Sequence, residues 1–322
     1  MNLKRLAGAL AAASLLLSPA LAQEWPARPV RLIVPFGPGS TPDTVARILS
    51  EKLTQRLGKP FVVENKPGAG GNVGTDAIAK AAPDGYTFGL TISGPLAANT
   101  LLFKKLPYDP QRDLDPISIV ATQPSVLVVS AQSGFSDMPG LLAGLRSNAG
   151  KFNYSSMGMG SISHLAMEAL AARSGTEVVH VPYASSGLAV AALLAGDTQI
   201  AVLPAVAVMP HVRSGKLKAI AVATGKRSTL FPDLPTLSEA GLQDVQGDAW
   251  MGIVVPAKTP AAISKKLHEE IVQIVRTDEI RQKLHGQLME PVGGTPAEFR
   301  ATLNADLMRW QPIIKKNNIT LD

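Results

Sequence analysis

Short apolar runs that alternate with helical patterns, several of them closed by a Gly/Ser-rich turn, constrain the fold of this 322-residue chain more than any other feature. "VRLIVPF" (residues 30–36), "FVVENK" (61–66) and "YTFGLTIS" (86–93) read as strands. "PDTVARILSEKLTQRLG" (42–58) and "NVGTDAIAKAA" (72–82) read as the helices between them. A second cycle runs from "SVLVVS" (125–130) through "GLLAGLRSNAGKFNYSS", a helix after Ser163, "VVHVPY", "LAVAALLAGD", "TQIAVLP" and "KLKAIAVAT". "DAWMGIVVP" (248–256) begins a last strand, and two amphipathic helices near residues 260–276 and 296–316 finish the chain. Strand and helix in this order predict an α/β fold with parallel sheets and right-handed crossovers.

Three of the turns are rich in glycine or serine: "VPFGPGSTPD" (34–43), "NKPGAGGNVGTD" (65–76) and "YSSMGMGSISH" (154–164). Each leads from a strand into a helix, the position where open α/β sheets bind ligands. The first turn of a helix presents unpaired N–H groups and partial positive charge, and glycine lets backbone approach a ligand closely. Such turns suit an anion.

The missing motifs narrow the anion. Gly68 and Gly70 fit a dinucleotide fingerprint, but Val73 stands where its third glycine belongs and the following strand carries no acid. No G-x-x-x-x-G-K-[ST] or G-x-S-x-G occurs, and "HEEIV" at His268 lacks the second histidine of a metalloprotease helix. What remains is a cleft of N–H groups and small hydroxyls: Ser40, Thr41, Ser155, Ser156, Ser161, Ser163, Ser185 and Ser186. Hydrogen bonds to charged groups contribute roughly 1.5–3 kcal/mol each, so a few neutral donors can hold a carboxylate without arginine. Each turn also has a plain reading: Thr41 as an N-cap with Pro42 at N1, the second glycine stretch as a bare connection, the third as a mobile tip. Asp43 in the first turn of its helix would compete with any anion there.

The N-terminus has the plan of a secretory signal peptide: Lys4 and Arg5, an apolar run over residues 6–17, and Ala20, Leu21 and Ala22 as the cleavage site. The run falls short of the roughly 20 residues that span a bilayer. An exported protein beginning near Gln23 or Glu24 is therefore expected. The chain has no cysteine, which excludes disulfides, thiolate catalysis and a cysteine-ligated metal. Its formal net charge of +6 falls by two with the leader, and no Lys/Arg run or aromatic-studded basic patch marks it for nucleic acid. The five histidines are scattered, so no metal and no cofactor is expected.

Several longer blocks, among them "VPFGPGSTPDTVAR", "VENKPGAGGNVGTDAIAKAAPDGYT", "LPYDPQRDLDPIS", "NYSSMGMGSISHLAMEAL", "VPYASSG", "KRSTLFPDLPTLSEAGL" and "WMGIVVPAKTP", occur in order over nearly the whole mature chain. Together they resemble the Bug family, the extracytoplasmic solute receptors of tripartite tricarboxylate transporters. The resemblance implies a monomeric periplasmic receptor of the Venus-flytrap kind, a type II periplasmic-binding-protein fold whose two α/β lobes are joined by two crossing strands. It implies a signal peptide over residues 1–22, lobe one over 24–122 plus 248–322, and lobe two over 123–247. The ligand would be a small organic carboxylate, handed on to membrane permease subunits, with no catalysis.

By motif position, Phe36, Gly39, Ser40, Thr41, Ala69, Gly70 and Gly71 would hold a carboxylate from lobe one. Ser155, Gly158, Ser161, His164, Tyr183, Ser185 and Ser186 would face it from lobe two. Ser93 and Asn99 would line the floor. His164 is equally readable as a residue packed between helices, and Trp250 as a packing residue at the crossover. Where family members often carry an acid after the "TQIAV" strand, this chain has Leu203, Pro204, Ala205 and Val206, so a non-amino carboxylate is expected. Two other readings stay open. A sensor for a signalling receptor would share this fold and cleft. An exported hydrolase could use Ser163 and His164, although neighbours on a helix point about 100° apart.

Overall fold

The computed structural model describes residues 25–321, so the signal-peptide assignment lies outside the described residues. The chain runs β1 (Val30–Val34), α1 (Thr41–Leu57), β2 (Phe61–Asn65), α2 (Asn72–Ala79) and β3 (Thr87–Ile92). A π-turn at Gly94–Ala98 leads into the single-turn α3 (Asn99–Leu102), and β4 (Leu114–Gln123) then departs for the other half of the molecule. There follow β5 (Ser125–Ser130), α4 (Met138–Ser147), β6 (Asn153–Ser156), α5 (Ile162–Ser174), β7 (Val179–Pro182), α6 (Ser186–Ala195), β8 (Ile200–Pro204), α7 (Ala205–Arg213) and β9 (Leu217–Val222). The chain returns as β10 (Ala249–Pro256) and ends with α8 (Ala261–Val275), α9 (Asp278–Gly286), β11 (Glu290–Pro291) and α10 (Pro296–Lys316).

Two sheets result, ordered β11-β4-β10-β3-β1-β2 and β7-β6-β8-β5-β9. Each forms an α/β lobe. Neither is wholly parallel, which corrects the expectation: β10 runs antiparallel to both β3 and β4, and β5 antiparallel to both β8 and β9. The reason lies in the crossing. β4 leaves the first sheet and continues through Pro124 into β5, while β10 comes back alongside, pairing Ala249 with Gln123 and Pro256 with Leu114. A chain that leaves and re-enters through adjacent strands must run in opposite directions in them. Gly252 permits the packing behind this pair, since a Cβ there would lie 2.2 Å from the Phe299 ring of α10.

Local chemistry accounts for the helix boundaries. Ser40 caps α1 by accepting the Asp43 N–H, one residue before the cap expected at Thr41, and Gly58 ends it at φ +67°. Thr295 and Glu298 form a reciprocal capping box at the start of α10. Helix α9 was not foreseen from the sequence; its polar surface covers a narrow apolar face carrying Ile280 and Leu284, both in the core beneath the first sheet. α10 packs on both halves. Phe299 and Leu303 belong to a cluster with Ile33 and Trp250, whereas Trp310 and Ile314 belong to one with Leu165 and Val202 of the second sheet's core.

Candidate functional site

A cavity of about 370 Å3 lies between the lobes. The first contributes Phe36, Gly70, Ile92, Ser93, Gly94, Ala98 and Asn99; the second contributes Met157, Met159, Gly160, Ser161, Ile162 and Pro204. The crossing strands and their flanks supply Gln123, Ser125, Gly247 and Ala249, and Leu321 closes one side. Among the described residues no Asp, Glu, Lys or Arg side chain lines it. Ser93 is 1 % exposed, and its Oγ has no hydrogen-bond partner among the described residues. Asn99 beside it is engaged, donating to Asn72 Oδ1 at 2.6 Å, and Tyr108 donates to the same oxygen at 3.0 Å.

The first glycine turn is largely filled from within. Asp43, 2 % exposed, accepts the Gly39 N–H at 2.9 Å, the Arg47 Nε–H at 2.9 Å and the Asn65 amide at 2.8 Å. Burial works against the charge, but the bonds from Arg47, Gly39 and Asn65 prevail and hold the carboxyl below its usual range. An internal carboxylate thus occupies the dipole at the start of α1. Phe36 reaches the cavity wall, whereas Gly39, Ser40 and Thr41 do not line it.

The second turn holds four consecutive positive-φ residues: Gly68 at +138°, Ala69 at +45°, Gly70 at +62° and Gly71 at +94°. Three are glycine, as this backbone requires. Gly70 faces the cavity. Gly71 donates its N–H to Gly68 O at 2.9 Å, and a Cβ on it would stand 2.7 Å from Pro95 and 2.9 Å from Phe36, so its part is close packing behind the wall. Ala69 lies outside the lining, and Lys66 pairs with Glu64 at 3.1 Å.

The third turn wraps over the start of α5. Ser161 caps the helix, its Oγ accepting the His164 N–H, and both Ser161 and Ile162 face the cavity. Ser155 is fully buried and donates to Ala189 O at 3.1 Å. Gly158 (φ +107°) shapes the turn without lining the cavity. His164, 3 % exposed, lies behind the turn: its Nδ1 accepts the Gly160 N–H at 3.0 Å and its ring stacks on His180. That is the packed reading of this residue. Ser163 Oγ accepts the Met157 N–H at 2.8 Å, so Ser163 and His164 serve different partners. Tyr183, Ser185 and Ser186 sit outside the lining, and Ser185 caps α6. Trp250 is buried against Phe299.

A family described as the tripartite tricarboxylate transporter family receptor matches residues 45–319. The chain belongs to this receptor family. Protein BugT of Bordetella pertussis is 35 % identical over 325 residues, covering 100 % of both chains. Among solved structures, Rpa4515 of R. palustris with adipate matches at 30 % identity and a TM-score of 0.79, covering 92 % of this chain and 99 % of that one. MatC of Rhodopseudomonas palustris with bound malate matches at 30 % identity and a TM-score of 0.73, covering 90 % and 100 %.

In this receptor, then, sequence reasoning placed Phe36, Gly70, Ser93, Asn99 and Ser161 on the cavity, and missed Met157, Met159, Gln123 and Leu321 as wall residues. Met157 and Met159 stood in view inside the third turn, alternating with glycine. Leu321 carried no local signal. It arrives because its N–H donates to Leu102 O at 3.0 Å, which ties the end of the chain to α3. The receptor's cavity presents methionine, isoleucine and phenylalanine side chains, with Ser161 at the start of α5 and Ser93 in the same wall. Among the described residues no helix is long and apolar enough to cross a membrane, and no cluster of three metal-capable side chains occurs.

Proposed function

We propose that the mature protein is a periplasmic receptor that captures a small organic carboxylate between its lobes and delivers it to the permease of a tripartite tricarboxylate transporter. The observation that carries this reading is a cavity lined from both lobes without a charged side chain among the described residues, with Ser93, whose buried hydroxyl is unpartnered, in its wall. A buried hydroxyl without a partner is costly, and a ligand oxygen would satisfy it. The relatives solved with adipate and malate support the class of ligand.

The lobes divide at residues 122/123 and 247/248 in this proposal, with β4 and β10 as the hinge. The ligand bridges Phe36, Gly70 and Ser93 on one side to Ser161 and the start of α5 on the other. Closure gains contacts only when both sides are occupied, so ligand shifts the population toward the closed form that a permease recognises. The apolar residues Leu203 and Pro204 at the end of β8 and Ala205 just after it, and the lack of any acid among the described lining residues, favour a non-amino acid, since a ligand ammonium would be buried without a counter-charge.

A thermal-shift screen of the mature chain against mono- and dicarboxylates and their amino analogues tests this. A binder must raise the melting temperature, and deaminated acids are expected to do so more than aspartate or glutamate. Preference for the amino acids would overturn the ligand class. Ester turnover abolished by Ser163→Ala would overturn the receptor role itself.

A further inference from the structure

The turn that forms the lobe-two wall rests on a histidine pair, His164 buried and His180 half-buried, that the ligand reading above does not use. His164 and His180 stack with ring centroids 3.9 Å apart and planes 7° from parallel, and Tyr154 stacks on His180 at 4.8 Å. Each imidazole holds one glycine of the turn. His164 Nδ1 accepts the Gly160 N–H at 3.0 Å, which requires that nitrogen to be bare and places the ring proton on Nε2. His180 Nε2 lies 2.6 Å from Ser156 Oγ, and that oxygen accepts the Gly158 N–H at 3.1 Å. Gly158 and Gly160 both have positive φ, at +107° and +72°, and the residues around them, Met157, Met159 and Ser161, face the cavity.

We propose that His164 and His180 are positioning residues that hold the 157–161 turn in its ligand-receiving shape only while both rings are uncharged, so that acid loosens the lobe-two wall. A proton on His164 Nδ1 converts the acceptor of Gly160 into a second donor facing the same N–H. Charge on both rings would set two cations face to face, 3.9 Å apart, in a stack that is buried on its His164 side. Of the groups that face the pair, Glu168 alone opposes this among the described residues, and only for His164. Tyr154 on β6 is neutral and donates to Glu168 at 2.5 Å; Glu168 on α5 stands 3.9 Å from His164 Nε2 and borders a surface groove with Glu177 and Lys316. Burial first, and for His164 also the neighbouring ring of His180, push both imidazoles down to about 4, in keeping with this arrangement.

The effect on ligand rests on the proposed function, but the state of the turn does not, so the test uses unliganded protein. In 15N-labelled mature protein, imidazole nitrogen shifts and amide-exchange protection of residues 157–161 are followed from pH 7.5 to 4. His164 is expected to keep a bare Nδ1 well below pH 6.5. Gly160 protection should fall about tenfold or more as the rings charge, while Val128 in the core keeps its own. His164→Gln, whose carbonyl accepts without titrating, should keep Gly160 protected and flatten the pH profile; His164→Phe should lose the protection at every pH. Titration of His164 near 6.5, an unprotected Gly160 amide at pH 7, or protection lost in step with Val128 would each overturn the proposal.

Discussion

The indole N–H of Trp250 donates to Asp306 Oδ2 at 2.8 Å, tying β10, the strand that returns from the second lobe, to the terminal helix α10. Asp306 also accepts from Arg309 and is 5 % exposed. Trp250→Phe would keep the edge-to-face contact with Phe299, at 5.2 Å, but strand a buried carboxylate oxygen. A loss of about 1–3 kcal/mol in urea unfolding is expected. An unchanged midpoint would mean that Arg309 alone satisfies Asp306.

Asp248 begins this returning segment. Burial, and then the charge of Asp306, push its carboxyl up to about 6. A folded-state value above the unfolded one favours the protonated form, so its stabilising contribution is complete below about pH 3.8 and is lost as pH rises through 6. Asp248→Asn should therefore stabilise the protein by about 2 kcal/mol at pH 8 and change little at pH 4. Urea midpoints at both pH values measure this; a variant no firmer than wild type at pH 8 contradicts it.

Ser93→Ala removes the unpartnered hydroxyl. The unliganded protein should be as stable as wild type or slightly firmer, because nothing bonded is lost. Affinity for the acid found by the thermal-shift screen should drop about tenfold, one hydrogen bond's worth, by calorimetry. Equal affinity would remove Ser93 from the ligand contacts.

Gly71→Ala would force a Cβ to within 2.7 Å of Pro95 and 2.9 Å of Phe36 at a φ of +94°. A destabilisation of about 1–3 kcal/mol is expected, with displacement of Phe36 from the cavity wall and weaker ligand binding in the same variant. Thermal unfolding and calorimetry together check it. A stable variant with intact binding would show that the turn can shift without cost.

Residues within a few positions of one another announced much of this molecule. Apolar runs such as residues 126–129 read as strands because a strand buried on both faces must be continuously apolar. The glycines of residues 68–71 marked a turn because only such residues accept that backbone. Alternation of these units implied an α/β fold, and the order of whole blocks implied the receptor family and, through it, two lobes. Strand direction was not legible, since β5 and β10 look like any other buried strand and acquire their antiparallel sense from the crossing. Nor was helix α9, whose short apolar face has meaning only against the core it covers.

What the chain alone determined, therefore, was which segments become strands and helices and where backbone must bend with positive φ, because those preferences are steric and local. Tertiary structure decided which donors stay open. Asp43 turns onto Gly39 with help from Asn65, His164 and His180 brace Gly160 and Gly158 from behind, and Leu321 reaches the cavity from the far end of the chain. A hydrogen bond satisfies a group only when a partner arrives within about 3 Å, and that distance is set by packing between segments far apart in sequence.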